Sequence, residues 1–194
     1  MGGSATHELL QEKIYDEIKY QLRDHTRAIG DPILSNLLGN IEGRGQMRVK
    51  LDAQCEEDVF GTKYPDAQLW AWHEGISTPQ FLIEVGYSQK NKDLPSLARE
   101  YYEGSNGKIK TVLTVKVPYL PPKERKNNTL ISHDENNRPS FSLYRGPGRI
   151  HHNQAFRNND GTPATDISLQ LFLSDFIPDP ALEKLNARHQ AQLQ

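Results

Sequence analysis

The sequence predicts an α/β fold, a mixed central sheet flanked by helices in the core order α-β-β-β-α-β, with additional C-terminal strands and a helix. Three observations predict it. Leu10, Ile14, Ile18 and Leu22 recur at helical spacing near the N-terminus, and Leu94, Leu97, Ala98 and Tyr101 repeat that spacing mid-chain. Short strand-like runs lie between and after these stripes, and Phe81-Leu82-Ile83 is apolar on both faces, as a doubly buried strand requires. A meander of three strands followed by a helical crossover then gives a sheet with both parallel and antiparallel pairs.

Residues 7–28 form the first helix, with Thr6 as its N-cap oxygen and Gly30-Asp31-Pro32 as its stop. A short apolar turn, Ile33 to Leu38, follows, and Gly39, Gly43 and Gly45 mark a loop. The predicted strands are Gln46–Asp52, Ala67–His73 and Gln80–Val85, with the acidic loop Glu56-Glu57-Asp58 after the first. The second helix runs from Leu94 to Glu103, closed by Gly104, and leads to a strand from Lys108 to Val117. Pro118–Pro122 is a stop. Residues 123–137, charged and Asn-rich, read as a long loop or a disordered insertion. Phe141–Arg145 and Arg149–Phe156 read as a hairpin through Gly146-Pro147-Gly148. Ile167–Leu173 alternates as a half-buried strand does, and Pro180–Leu193 reads as a last helix.

At 194 residues the chain fits a single domain, residues 1–194, with its core at 7–117 and C-terminal strands and helix at 140–193. A formal charge of −2 supplies no global basic field, so a nucleic-acid partner needs a local basic strip. The single Cys55 excludes an internal disulfide framework and a multi-cysteine zinc site. With no membrane-length apolar run and no signal-peptide core, the expected setting is intracellular, nuclear or cytoplasmic, not secreted and not in a membrane. Met1-Gly2-Gly3-Ser4-Ala5-Thr6 formally matches a myristoylation pattern, but no basic cluster follows to add a second anchor.

Two acids carry the chemistry. Asp66 opens one predicted strand and Glu84 lies near the end of the next, so antiparallel pairing brings both to one end of the sheet. A Glu84 buried behind Phe81-Leu82-Ile83 is costly without a partner or a metal. Two carboxylates plus waters are how proteins hold Mg²⁺, which clamps a phosphate and activates water for phosphodiester hydrolysis.

Asp66 followed by Ile83-Glu84-Val85-Gly86-Tyr87-Ser88-Gln89, set within α-β-β-β-α-β, resembles the PD-(D/E)xK nuclease superfamily. The phrase, with the helix and Thr111–Val117 after it, is similar to restriction-endonuclease-like proteins found in fungal genomes. The resemblance spans residues 7–117 and implies a restriction-endonuclease-like domain that cleaves nucleic acid, DNA first, with Mg²⁺ or Mn²⁺. Asp66 and Glu84 are then the metal ligands, with the Val85 carbonyl as a further oxygen and Glu17, ahead of Glu8, as an acid from the first helix. Members that cut both strands often dimerise, so a homodimer is a further expectation. The family carries a lysine two residues after the second acid, and this chain has Gly86 there. Lys90, Lys92 and Arg99 are the substitutes the sequence offers, and Gln89 could orient a water. Two readings stay open: a metal-dependent endonuclease, or a catalytically inactive module that binds nucleic acid or a protein partner.

Arg145, Arg149, His151, His152 and Arg157 form the most basic stretch and could follow a phosphate backbone, with an exposed hairpin as the alternative. The adjacent His151 and His152 face opposite sides on a strand and cannot share one metal. Trp70 and Trp72 read as core or interface, with base stacking the alternative. Lys123-Glu124-Arg125-Lys126 is weak as a localisation signal.

Overall fold

The computed structural model describes residues 5–51, 61–71, 78–87, 93–117, 138–158 and 162–192. Helix α1 (Ala5–Ile29) lays the predicted stripe on the sheet, with Ile18 buried and Leu10, Ile14 and Leu22 packed around it. It starts at Ala5, so Thr6 lies inside the first turn and not at the cap. The predicted turn after it is a helix, α2 (Pro32–Gly39). The Asp31 carboxylate accepts hydrogen bonds from the N–H groups of Ile33 and Leu34 at 2.7 and 3.0 Å. Pro32 sits where a helix needs no donor, so Asp-Pro works here as cap and first turn rather than as a stop.

The first strand, β1 (Ile41–Arg44), lies in the stretch the glycines marked as a loop. Gly43 belongs in a strand because the Tyr15 ring occupies its side-chain space: a Cβ there would stand 1.9 Å from Tyr15 Cε2. The Tyr15 hydroxyl accepts from the Gly43 N–H at 3.0 Å. The predicted strand 46–52 shrinks to β2 (Val49–Lys50), which among the described residues pairs with β3 (Thr62–Lys63) in a small ribbon. The core elements that follow are β4 (Ala67–Ala71), β5 (Phe81–Tyr87), α3 (Leu94–Gly104) and β6 (Thr111–Val117). The predicted hairpin is β7 (Ser140–Arg145) with β8 (Gly148–Ala155), and α4 (Asp179–Gln192) ends the described chain.

Among the described residues the main sheet has the order β1-β4-β5-β6-β7-β8, and only β5–β6 is parallel. Its faces alternate as strands dictate. Phe81, Ile83, Val85, Leu113, Val115, Phe141 and Leu143 join α1, α2 and α4 in the larger core. Leu82, Val112 and Tyr144 face the other way, under Ala98 and Tyr101 of α3, with Val49 and Leu51 beside β2.

Ile167–Leu173 is not a strand. Ile167, Leu169, Leu171 and Leu173 do pack on the larger core while Ser168, Gln170 and Phe172 stay exposed, so the alternation is real. The backbone finds side-chain partners in place of a ladder: the Gln170 carbonyl accepts from Arg145 Nη2 at 2.6 Å, and the Phe172 N–H donates to Asp175 at 2.7 Å. A short 3₁₀ turn, Leu173–Asp175, follows, and Phe176 then stacks on Phe81 with ring centroids 5.0 Å apart.

Candidate functional site

The α3 face of the sheet changes from apolar to polar along the strands. Leu82, Val112 and Tyr144 form one cross-strand row, Glu84, Thr114 and Ser142 the next, and Gly86, Lys116 and Ser140 a third. Helix α3 covers the apolar row, while its N-terminal residues Asp93 and Leu94 stand over the polar end. On the other side of β5, Ala67 pairs with Ile83, so the same register carried one residue further sets Asp66 opposite Glu84. Two carboxylates thus lie at neighbouring backbone positions, one just before β4 and one within β5.

Both acids are buried, Asp66 at 6% and Glu84 at 1% exposure. Asp66 stands where β4 stops pairing, and its Oδ2 accepts the Val85 N–H at 2.7 Å, substituting for a ladder carbonyl. Gln46 Nε2 approaches its Oδ1 at 3.4 Å. Glu84 Oε1 accepts from the Tyr101 hydroxyl at 2.5 Å, a short contact of the kind a charged acceptor makes. Burial, then the charge of Glu84, pushes the Tyr101 phenol well above its ordinary range, so Tyr101 stays a neutral donor. These contacts fix the orientation of the pair.

Beside the polar rows opens a cavity of about 220 Å³, lined by Thr114, Lys116, Ser142, His152 and Asn153, with Asp93 at its rim. Two bulges in β8 shape its far wall, and Asn153 takes the left-handed conformation at φ 44°. Its N–H donates to Ser142 Oγ at 2.9 Å.

The remaining predicted residues scatter. Glu17 is exposed and accepts from Gln21 Nε2 at 2.8 Å, whereas Glu8 lines a cleft of about 410 Å³ with Tyr15, Arg44 and Ala67, the neighbour of Asp66. Arg99 is exposed on α3. Gln89, Lys90, Lys92, Trp72 and Cys55 lie outside the described residues, as does 123–137. Val85 enters through its N–H. Trp70 donates to Gln68 Oε1 at 2.9 Å, and the Arg44 guanidinium lies over its ring at 4.9 Å.

The basic stretch does not line up. Arg145 is committed to Asp175, through Nε at 2.7 Å and Nη2 at 2.9 Å, and lies 4.6 Å over the Phe172 ring. His151 meets Phe141 edge-on at 6.0 Å on the larger-core face, while His152 lines the cavity on the opposite face. Arg149 is exposed opposite Tyr144, and Arg157 sits in an isolated bridge with Pro163.

Sequence reasoning missed Tyr101 as a partner of Glu84, because an apolar stripe explained it fully. Lys116 lies two residues beyond Thr114, the parallel neighbour of Glu84, a placement that only the register shows.

The donor set at Asp66 and Glu84 is hard oxygen, which fits Mg²⁺ or Mn²⁺. Among the described residues no group of three or more His, Cys, Asp or Glu side chains converges, so a cation here would rest on two carboxylates and solvent. Among those residues, also, no helix is long and apolar enough to cross a membrane. Set against known proteins, the chain matches no family model, no curated protein and no solved structure.

Proposed function

We propose that this chain is a restriction-endonuclease-like domain of the PD-(D/E)xK type that hydrolyses phosphodiester bonds in nucleic acid, DNA first, with a divalent cation at Asp66 and Glu84. The observation that carries the reading is the closeness of two buried carboxylates, Asp66 holding the N–H of Val85 at 2.7 Å and Glu84 next to Val85 on β5. Two like charges so placed repel, and a divalent cation offsets that repulsion. The order α1-α2-β1-β4-β5-α3-β6, with α2 and the β2–β3 ribbon as additions, contains the α-β-β-β-α-β series that the resemblance implies, which supports the reading. Bound there, Mg²⁺ or Mn²⁺ supplies Lewis acidity toward a phosphate oxygen and a more acidic water. Tyr101 and Val85 hold the two carboxylates in place, and α3 with Leu82 and Val112 keeps the apolar side of the pair dry.

A second reading is an inactive module of the same fold that binds nucleic acid or a protein, and Gly86 is what favours it. Cleavage of mixed DNA and RNA substrates with Mn²⁺ separates the two. Wild-type cleavage that disappears in Asp66→Ala, in Glu84→Ala and with chelator supports the enzyme. A folded wild type that cuts nothing over a broad panel leaves the binding module.

A further inference from the structure

Resting on the nuclease reading, we propose that Lys116 of β6 is the catalytic cation of this site, taking the place that Gly86 leaves empty on β5. Two carboxylates and a phosphodiester bring together three anionic groups, and hydrolysis adds charge to the phosphate oxygens as the transition state forms. A fixed cation is therefore needed on the substrate side. Position 86 does not provide it: glycine has no side chain, and a Cβ there would stand 3.1 Å from Leu94 Cδ1, so Leu94 would have to shift a little to admit one.

The parallel register sets Lys116 directly beside Gly86, as it sets Thr114 beside Glu84. Neighbouring strands lie about 4.8 Å apart and paired residues share a face, so the Lys116 stem starts one strand over from a lysine at 86 and on the same side. Lys116 lines the 220 Å³ cavity with Thr114, Ser142, His152 and Asn153. Hydroxyl, amide and imidazole groups of this kind suit phosphate oxygens.

In the step, a water oxygen forms a bond to phosphorus and the bond from phosphorus to one sugar oxygen breaks. That sugar oxygen takes a proton from solvent and leaves as an alcohol, and the proton lost by the attacking water passes to solvent. Nothing is oxidised or reduced. The Lys116 ammonium touches a non-bridging oxygen and stabilises the charge that gathers there.

The test measures cleavage kinetics, Mn²⁺ affinity and melting temperature for wild type, Glu84→Gln, Lys116→Met, Lys116→Arg, and Lys116→Met combined with Gly86→Lys. Lys116→Met is expected to lower kcat by about 10²-fold or more while Mn²⁺ binding is kept, the size of effect seen when one charge-stabilising group is removed. Lys116→Arg keeps charge and reach and is expected to stay within about tenfold of wild type. Returning the lysine at 86 is expected to recover at least about tenfold over Lys116→Met, once Leu94 yields. Wild-type kcat in a folded Lys116→Met, beside a dead Glu84→Gln, overturns the role of Lys116 and leaves the nuclease reading standing. So does a Lys116→Arg as inactive as the methionine variant. Should wild type bind Mn²⁺ and cut nothing, the endonuclease reading and the role of Lys116 fall together.

Discussion

The two ends of the central sheet each bury a carboxylate, and they treat it differently. Where β6 begins, Asp175 is 1% exposed and receives the Thr111 hydroxyl at 2.8 Å, the Phe172 N–H, and a two-pronged Arg145. Its charge is met by an arginine, and the result ties the C-terminal segment to β6 and β7. Midway along β5, where β4 stops pairing with it, Glu84 is equally buried but receives a neutral phenol and adjoins Val85, whose N–H donates to a second carboxylate, Asp66. One end is arranged for stability. The other brings two buried acids together, Asp66 on the Val85 N–H and Glu84 beside it.

Glu84→Gln draws the sharpest line between them. It keeps the shape and removes the charge, and in the proposed enzyme it is expected to reduce cleavage by about 10³-fold, roughly 4 kcal/mol in the barrier. Its melting temperature without metal is expected to equal or exceed that of wild type, because one of two facing charges has gone. Asp175→Ala is expected to do the opposite. Removing one partner of a buried ion pair leaves Arg145 uncompensated, so urea unfolding should show a loss of about 3–5 kcal/mol, with metal affinity unchanged in the folded fraction. If Glu84→Gln destabilises as much as Asp175→Ala, the two ends are alike and the acids are structural.

How far this contrast was legible follows from the physics of each contact. That β4 and β5 pair antiparallel, bringing the region of Asp66 near Glu84, was readable, since a meander of adjacent strands fixes it locally. Arg145 was assigned to nucleic acid because nothing local reveals a partner 30 residues away. Period two at Ile167–Leu173 identified the inward side chains correctly but not a strand, because alternation reports an extended chain on a core, and a ladder also needs an unpaired neighbour. Gly43 was read as loop punctuation, yet a glycine in a strand also marks close approach, here by Tyr15. The adjacency of Gly86 and Lys116 depends on the parallel register after a helical crossover, which the residues alone leave open.

Smaller substitutions sharpen the comparison. Thr111→Val removes the hydroxyl from Asp175 while Arg145 and Phe172 still serve that carboxylate, and the valine matches the threonine in shape. A loss of about 1.5 kcal/mol is expected by urea unfolding, the value of one hydrogen bond to a charged group. Because threonine does not titrate, that loss should be the same at pH 7 and pH 11.

Tyr101→Phe removes the matching hydroxyl at the other end, and there the pH dependence is the readout. The folded phenol titrates above its ordinary value of 10.0, held up by burial and then by the charge of Glu84. Its contribution to stability is therefore complete below about pH 10 and is lost as pH rises beyond it, because the unfolded chain releases a proton that the folded chain keeps. At pH 11 this amounts to about 1.4 kcal/mol. Urea unfolding of wild type at pH 9 and pH 11 should show that decrement over and above the change in Tyr101→Phe, which has no such proton to hold. Equal decrements in the two proteins would mean that the phenol is not buried against an ionised Glu84, and the acidic end of the sheet would lose the feature that sets it apart from Asp175.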